Sequence, residues 1–228
     1  EKSLAARRKP TVVRAVRGEA SLLMPATAAA GRTHRSQHTG DKRDLILKAA
    51  TKLFARRGFF NAQVADVARE AGVAAGTVYL YFRGKDDLLI SIFERTMHEW
   101  LEAGRQALAG VSDPVERLRR LAGLHLERLG QDRDLAVVFQ VELRQSTKFM
   151  ERFSSTLLQD YLHAIRDAVA DAQTAGLFRR EVSPTFAAKV LYGALDEMAT
   201  NWILSRRRYA LAAQADEVVD LFVNGMTT

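Results

Sequence analysis

The sequence predicts an all-α protein: an N-terminal three-helix domain containing a helix-turn-helix, followed by a larger helical domain. Three observations carry this. Apolar residues recur at three- and four-residue intervals along most of the chain. Only four prolines interrupt 228 residues, and alternating, strand-like runs are few. The chain is 47% hydrophobic, enough for a core well beyond what a helix-turn-helix alone would fill.

Residues 1–40 hold eight Lys and Arg against two Asp and Glu, with no sustained apolar period. This segment reads as a disordered basic arm, either a passive tail or one that adds non-specific phosphate contacts. Its Arg-rich, acid-poor composition also fits a transit peptide or appended sequence, and a chain that starts without Met is expected to have been processed or trimmed. A first ordered helix is expected from Asp41 to Arg57, with Leu45, Ile46, Ala49, Ala50, Leu53 and Phe54 as its buried stripe. Asp41 and Asp44 suit its positive end, Arg56 and Arg57 its negative end, and Gly58 stops it.

Residues 63–85, QVADVAREAGVAAGTVYLYFRGK, read as two short helices joined by a tight turn. Val64, Val67, Ala68 and Ala71 give the first helix one apolar face. Gly72 can take a left-handed conformation at no steric cost, so one helix ends there and the chain turns into the next. The second helix starts at about Ala74, with Val78 and Phe82 facing inward. Its outward face holds Ala75, Gly76, Thr77, Tyr79 and Tyr81. Small residues allow close approach to a DNA groove, and the hydroxyls can bond phosphate oxygens. Charge agrees with this placement. Residues 41–85 carry nine basic and four acidic side chains, whereas residues 86–228 carry seventeen and twenty-one. The basic excess is confined to the arm and the helix-turn-helix, as an electrostatic footprint for phosphate should be.

The pattern Gly58-Phe59, Val64, Asp66-Val67-Ala68, Ala71-Gly72-Val73, Gly76-Thr77, Tyr79, Tyr81-Phe82 and Lys85 resembles the DNA-binding domain of the TetR family of bacterial repressors. The resemblance implies a TetR-like fold of about nine helices, with a DNA-binding domain over residues 41–101 and a ligand-binding and dimerisation domain over 102–228. It implies that Gln63, Ala75, Gly76, Thr77, Tyr79, Tyr81 and Lys85 contact double-stranded DNA, Lys85 at a phosphate. It implies a cytoplasmic homodimer joined through its last two long helices, whose recognition helices, ~34–36 Å apart, read a palindromic operator. Lys42 and Arg43 are further candidates for the DNA backbone, or part of a solvated face. The family often has Ser or Thr where this chain has Ala62 and Ala74, the expected helix N-caps; losing such a cap costs about 0.5–2 kcal/mol.

Beyond Lys85 a long helix is expected to about Ala109, with Leu88, Leu89, Ile92, Phe93, Met97, Trp100 and Leu101 at helical spacing. Asp113-Pro114 marks the next start, Asp as cap and Pro in the first turn. Val115, Leu118, Leu121, Ala122, His125 and Leu129 share a face of that helix. His125 is a polar group on an apolar stripe, either a hydrogen-bonded core histidine or a pocket-lining one. A shorter helix from Asp132 to Gln145 is apolar nearly all round and must be covered on several sides. Three more follow. One runs from Phe149 to Ala175, with Met150, Phe153, Leu157, Tyr161, Ile165, Val169 and Ala172 as its stripe. The next is capped by Ser183-Pro184 and reaches about Ser205; the last starts near Leu211.

Two further stretches, DLAVVFQVELRQS at Asp134–Ser146 and GALDEMATNW at Gly193–Trp202 with Tyr209, resemble the TetR-type regulators of fatty-acid degradation, which respond to long-chain acyl-CoA. The resemblance implies repression of fatty-acid-degradation genes, relieved when acyl-CoA occupies the C-terminal domain. An acyl chain needs an apolar tunnel and gains about 0.8 kcal/mol per buried CH₂. Phe93, Met97, Trp100, Leu121, Leu124, Phe139, Leu143, Tyr161 and Ile165 are candidates to line it, or plain core. Arg144, Arg152, Arg179 and Arg180 are candidates for the CoA phosphates. Arg144 has a second reading, pairing with Glu142 or capping a helix end. The alternative effector is a different apolar ligand, such as an amphipathic drug that controls an efflux operon.

Several classes are excluded or disfavoured. The chain has no cysteine, hence no disulfide and no thiolate metal site. No apolar run approaches the roughly 20 residues of a membrane span, and no membrane partner is expected. No metal cluster, Ser-His-Asp arrangement or phosphate-cradling glycine loop is legible, so no catalytic residue, metal or cofactor is expected and the chain does not read as an enzyme.

Overall fold

The computed structural model describes residues 30–145, 149, 151, 157–207 and 209–227, with side chains from residue 41 onward. No strand occurs among these residues. The first three helices are α1 (Ala30–Arg57), α2 (Val64–Glu70) and α3 (Ala75–Tyr79). α4 (Lys85–Leu108) is followed by α5 (Pro114–Gln131), α6 (Arg133–Gln140) and a 3₁₀ turn at Glu142–Gln145. α7 (Leu157–Thr174), α8 (Pro184–Leu204), a second 3₁₀ turn at Leu211–Gln214 and α9 (Ala215–Met226) follow.

α1 starts at Ala30, not at the expected Asp41. Residues 31–40 contain no apolar side chain, so periodicity gives no sign of them. No proline interrupts the stretch either, and extending an existing helix costs little compared with nucleating one. The rest of the expected arm, residues 1–29, lies outside the described residues. Within α1 the covered arc leans toward Leu47, 3% exposed, and away from Leu45, 52% exposed. Ile46, Ala50 and Phe54, four residues apart, mark its centre and are fully buried.

Gly58, at φ 78°, ends α1, and Gly72, at φ 67°, makes the turn between α2 and α3. Both sit in the left-handed region that favours glycine. α2 is capped by Gln63, not Ala62; Ala62 is a core residue. α3 is capped by Ala74, and neither cap supplies a side-chain hydrogen bond. What fixes the two helices is the apolar core of Ile46, Phe54, Val78, Phe82, Leu88 and Leu89. Ion pairs outside this core tie α1 to α2: Glu70 with Lys52 at 2.9 Å and Arg56 at 2.7 Å, and Asp66 with Arg57 at 3.3 Å. Exposed pairs of this kind contribute about 0–1 kcal/mol each.

α4 passes without a break through residue 101, where the domain boundary was expected. α5 lies in the middle of the second half, against α4, α6, α7, α8 and α9. Its start is the expected one: the Asp113 carboxylate accepts from Val115 N at 2.9 Å, with Pro114 in the first turn. Asp132 caps α6 in the same way, accepting from Leu135 N at 2.9 Å. The helix expected to reach Gln145 stops at Gln140 and tightens into the 3₁₀ turn. That change re-aims Glu142 and Arg144. Ser183 makes no side-chain cap, although Pro184 opens α8 as expected. Met150, Arg152 and Phe153 lie outside the described residues.

Candidate functional site

α3 presents the expected outward face. Ala75 and Gly76 are exposed, Thr77 and Tyr81 are half-buried, and Tyr79 is 59% exposed. A Cβ at Gly76 would meet nothing within 4 Å, so packing within the chain does not require glycine there. The bare backbone leaves a flat spot at the outer surface, and Gln63 is exposed at the head of α2. Arg43 is half-buried, its guanidinium 5.2 Å from the centre of the Phe82 ring.

Lys85 departs from expectation. Its ammonium turns inward and donates to the carbonyls of Phe60 at 2.9 Å, Phe59 at 3.1 Å and Ala62 at 3.4 Å. It also lies 4.8 Å from the Phe59 ring centre. An ammonium has three donors, and here they close the loop between α1 and α2. The side chain is therefore not free for the phosphate contact assigned to it.

A cavity of about 220 Å³ lies among α4, α5, α6, α7 and α8. Met97, Trp100, Leu121, Leu124, His125, Phe139, Arg144 and Tyr161, all singled out in the sequence, line it. Phe93, Leu143 and Ile165 do not. Phe93 sits behind Phe139, ring centres 5.5 Å apart, while Leu143 and Ile165 are core residues. Trp100 stacks on Phe139 at 5.2 Å. Sequence reasoning missed Gly104, Gln140, Tyr192 and Asp196, which also line the cavity. The last two carried a signal: polar residues four apart on an otherwise apolar helix face the same way.

The polar wall of the cavity is organised by Asp196. Arg144 bonds both its carboxylate oxygens, at 2.7 and 2.8 Å, and Gln140 donates to one of them at 3.0 Å. Thr200 donates to the Asp196 carbonyl at 3.1 Å. Arg144 thus pairs across the cavity with α8, not with Glu142, and is not held free for a CoA phosphate. Arg179 and Arg180 are absent from the cavity lining; they donate to the carbonyls of Thr227 and Gln173 near the ends of α9 and α7. Arg105, not foreseen, lines the cavity with a side chain 70% exposed and paired to Glu102.

His125 is 7% exposed. Its Nδ1 is 3.2 Å from the Tyr161 hydroxyl, and its Nε2 has no hydrogen-bond partner. Burial pushes its pKa down to about 4, opposed by the Asp196 charge, so the ring is neutral at pH 7. Burial likewise raises the Tyr161 and Tyr192 phenols, which stay protonated. A buried unpaired ring nitrogen costs about 1–3 kcal/mol.

The 3₁₀ turn after α6 reaches both regions. Arg144 faces the cavity, while the Glu142 carboxylate accepts from Phe59 N at 2.6 Å, at the foot of the helix-turn-helix. Gln145 donates to the same carboxylate at 3.2 Å. On the far side, α8 and α9 enclose an apolar groove whose rim leaves Phe186 and Leu221 63% and 78% exposed.

A helix-turn-helix joined through one continuous helix to an apolar cavity with a charged pair in its wall defines a DNA-binding regulator with a place for a small molecule. The chain belongs to the tetR family of bacterial regulatory proteins. Residues 46–92 match that family's N-terminal model, and residues 93–225 match the C-terminal region of YsiA-like proteins. It is a DNA-binding transcription regulator, not an enzyme. It is 32% identical over 181 residues to the fatty acid metabolism regulator protein of Bacillus subtilis, covering 79% of this chain and 93% of that one. The fatty acid degradation regulator FadR from Bacillus halodurans superposes with a TM-score of 0.76 at 35% identity, covering 81% of this chain and 95% of that one. FadR from B. subtilis, solved in complex with stearoyl-CoA, gives 0.75 at 31% identity, covering 80% and 98%. Among the described residues no helix is long and apolar enough to cross a membrane, and no cluster of three His, Asp or Glu could hold a metal.

Proposed function

We propose that this chain is a cytoplasmic repressor of fatty-acid-degradation genes that leaves a palindromic operator when long-chain acyl-CoA enters the cavity. The observation that carries the reading is the apolar, aromatic-lined cavity, in a chain whose relative of similar fold was solved with stearoyl-CoA. Gln63, Ala75, Gly76, Thr77, Tyr79 and Tyr81 read the operator, with Arg43 beside them. Lys85 serves DNA indirectly, by fixing the loop ahead of α2. Two copies pair through α8 and α9, burying Phe186, Val190 and Leu221.

The size of the cavity suggests how the signal travels. Sites for drug-sized ligands run about 300–1,000 Å³, so about 220 Å³ is small for a long acyl chain. The ligand favours a wider arrangement of α4 and the 3₁₀ turn. Both are tied to the reader, α4 by continuity and the turn by the Glu142–Phe59 bond. A ligand that binds the wider state better draws the population away from the DNA-competent one. Coupling of about 1–3 kcal/mol is typical for such effects. The CoA phosphates meet Arg105, whose exposed pair with Glu102 is easily exchanged.

The test is a competition assay. A labelled fragment of the protein's own promoter region is saturated with protein, then titrated with palmitoyl-CoA, oleoyl-CoA, free fatty acid or CoA alone. Release by the acyl-CoAs but not by either half is expected. DNA binding indifferent to every acyl-CoA would leave the repressor and remove the fatty-acid effector, in favour of another apolar ligand.

A further inference from the structure

We propose that His125 is a hydrogen-bonding subsite inside the cavity that reads one uncharged oxygen on the bound acyl chain. This rests on the acyl-CoA reading above and adds a specificity element to it. His125 lines the cavity, is almost wholly buried, and has an Nε2 with no hydrogen-bond partner. Of the other polar groups of the wall, Arg144 and Gln140 both bond Asp196, Arg105 pairs with Glu102, and Asp160 is exposed. His125 is held in place by the Tyr161 hydroxyl and by the rings of Trp100 and Tyr192, centred 6.3 and 6.0 Å away. A group that served only as filling would be better met by phenylalanine or leucine, which leave no polar atom unmet.

The tautomer sets which oxygen fits. When Tyr161 donates to Nδ1, Nε2 carries the proton and donates to a carbonyl, such as the thioester oxygen. When Nδ1 donates to Tyr161, Nε2 accepts from a hydroxyl on the chain. The shared chemistry is a neutral oxygen among methylenes. A carboxylate or phosphate is disfavoured, because the ring is uncharged and buried.

Calorimetric titration of the intact protein with three ligands of equal chain length separates these cases. The ligands are palmitoyl-CoA, its thioether analogue S-hexadecyl-CoA, which lacks the carbonyl, and 3-hydroxypalmitoyl-CoA. Wild-type protein is expected to bind an oxygen-bearing ligand about tenfold more tightly than the thioether. Preference for palmitoyl-CoA names the carbonyl, and preference for the hydroxylated chain names the hydroxyl. His125→Phe is expected to bind the thioether as wild type does and to lose the preference. Tyr161→Phe, which removes only the hydroxyl that orients the ring, is expected to weaken the preference without removing binding. Equal wild-type affinity for all three, or a preference that survives in His125→Phe, would overturn the subsite and leave the acyl-CoA reading intact. Failure of all three to bind would overturn both.

Discussion

The two halves of the chain fill their interiors in different ways. Around α1 to α3 the interior is apolar: Ile46, Phe54, Val78 and Phe82 are covered, and the ion pairs to Glu70 and Asp66 stay outside. The buried hydroxyl there, Thr51, returns to Leu47 O of its own helix at 2.9 Å. Beyond α4 the interior holds His125, Gln140, Glu142 and Asp196 and a cavity between helices. Close packing admits one arrangement, which suits a surface that must fit a duplex. A void beside polar groups is less stable and can be filled. In the proposed mechanism the reader keeps its shape and the effector half changes state with its occupant.

The sharpest test of that contrast is a pair of truncations. Phe54→Ala is expected to destabilise by about 3–5 kcal/mol in denaturant unfolding, because it leaves a hole in a filled core. Trp100→Ala removes a larger ring, but one that already faces the cavity, and should cost visibly less. Equal losses would mean that the effector half is as tightly specified as the reader.

The next effect is on pH dependence. His125 titrates near 4 in the folded chain against 6.5 unfolded. Above pH 6.5 it is neutral in both states and its contribution to stability is complete. Between pH 6.5 and about 4 the unfolded chain takes up a proton that the folded chain refuses, so stability falls, by on the order of 3 kcal/mol in all. His125→Phe should flatten this part of the profile of melting temperature against pH. An unchanged difference between the two proteins across the window would show that the ring is not buried neutral.

Lys85→Met should cost about 1.5–3 kcal/mol of stability, the worth of hydrogen bonds to a charged group. Operator affinity should fall without a change in its salt slope. A slope reduced by about one would show instead that the ammonium meets a phosphate. The smallest effect is expected from Tyr79→Phe, which removes one exposed hydroxyl. Operator binding should weaken by about 0.5–1.5 kcal/mol with the melting temperature unchanged.

Features encoded by neighbours in the chain were legible in the sequence. Asp113-Pro114 opens α5, and Gly58 and Gly72 make the turns. Features that depend on distant partners were not. Arg144 finds Asp196 on another helix, Glu142 finds a backbone N–H of the reader, and Lys85 turns to the carbonyls of an earlier loop. In each case a charged side chain met groups far away in sequence, and local spacing named the residue without naming the partner. The extension of α1 to Ala30 was hidden for the opposite reason: it has no apolar period to announce it.

The peptide groups flanking the Phe59 Cα are gripped from two directions, the N–H by Glu142 and the carbonyl by Lys85. One amide proton at the base of the reader is thus fastened by the half of the chain that holds the cavity. Its exchange with deuterated solvent should be slow while the tether holds and faster once an occupant loosens the 3₁₀ turn. A single backbone resonance, outside the cavity and away from the recognition helix, would then serve as a gauge of whether the two halves are in register.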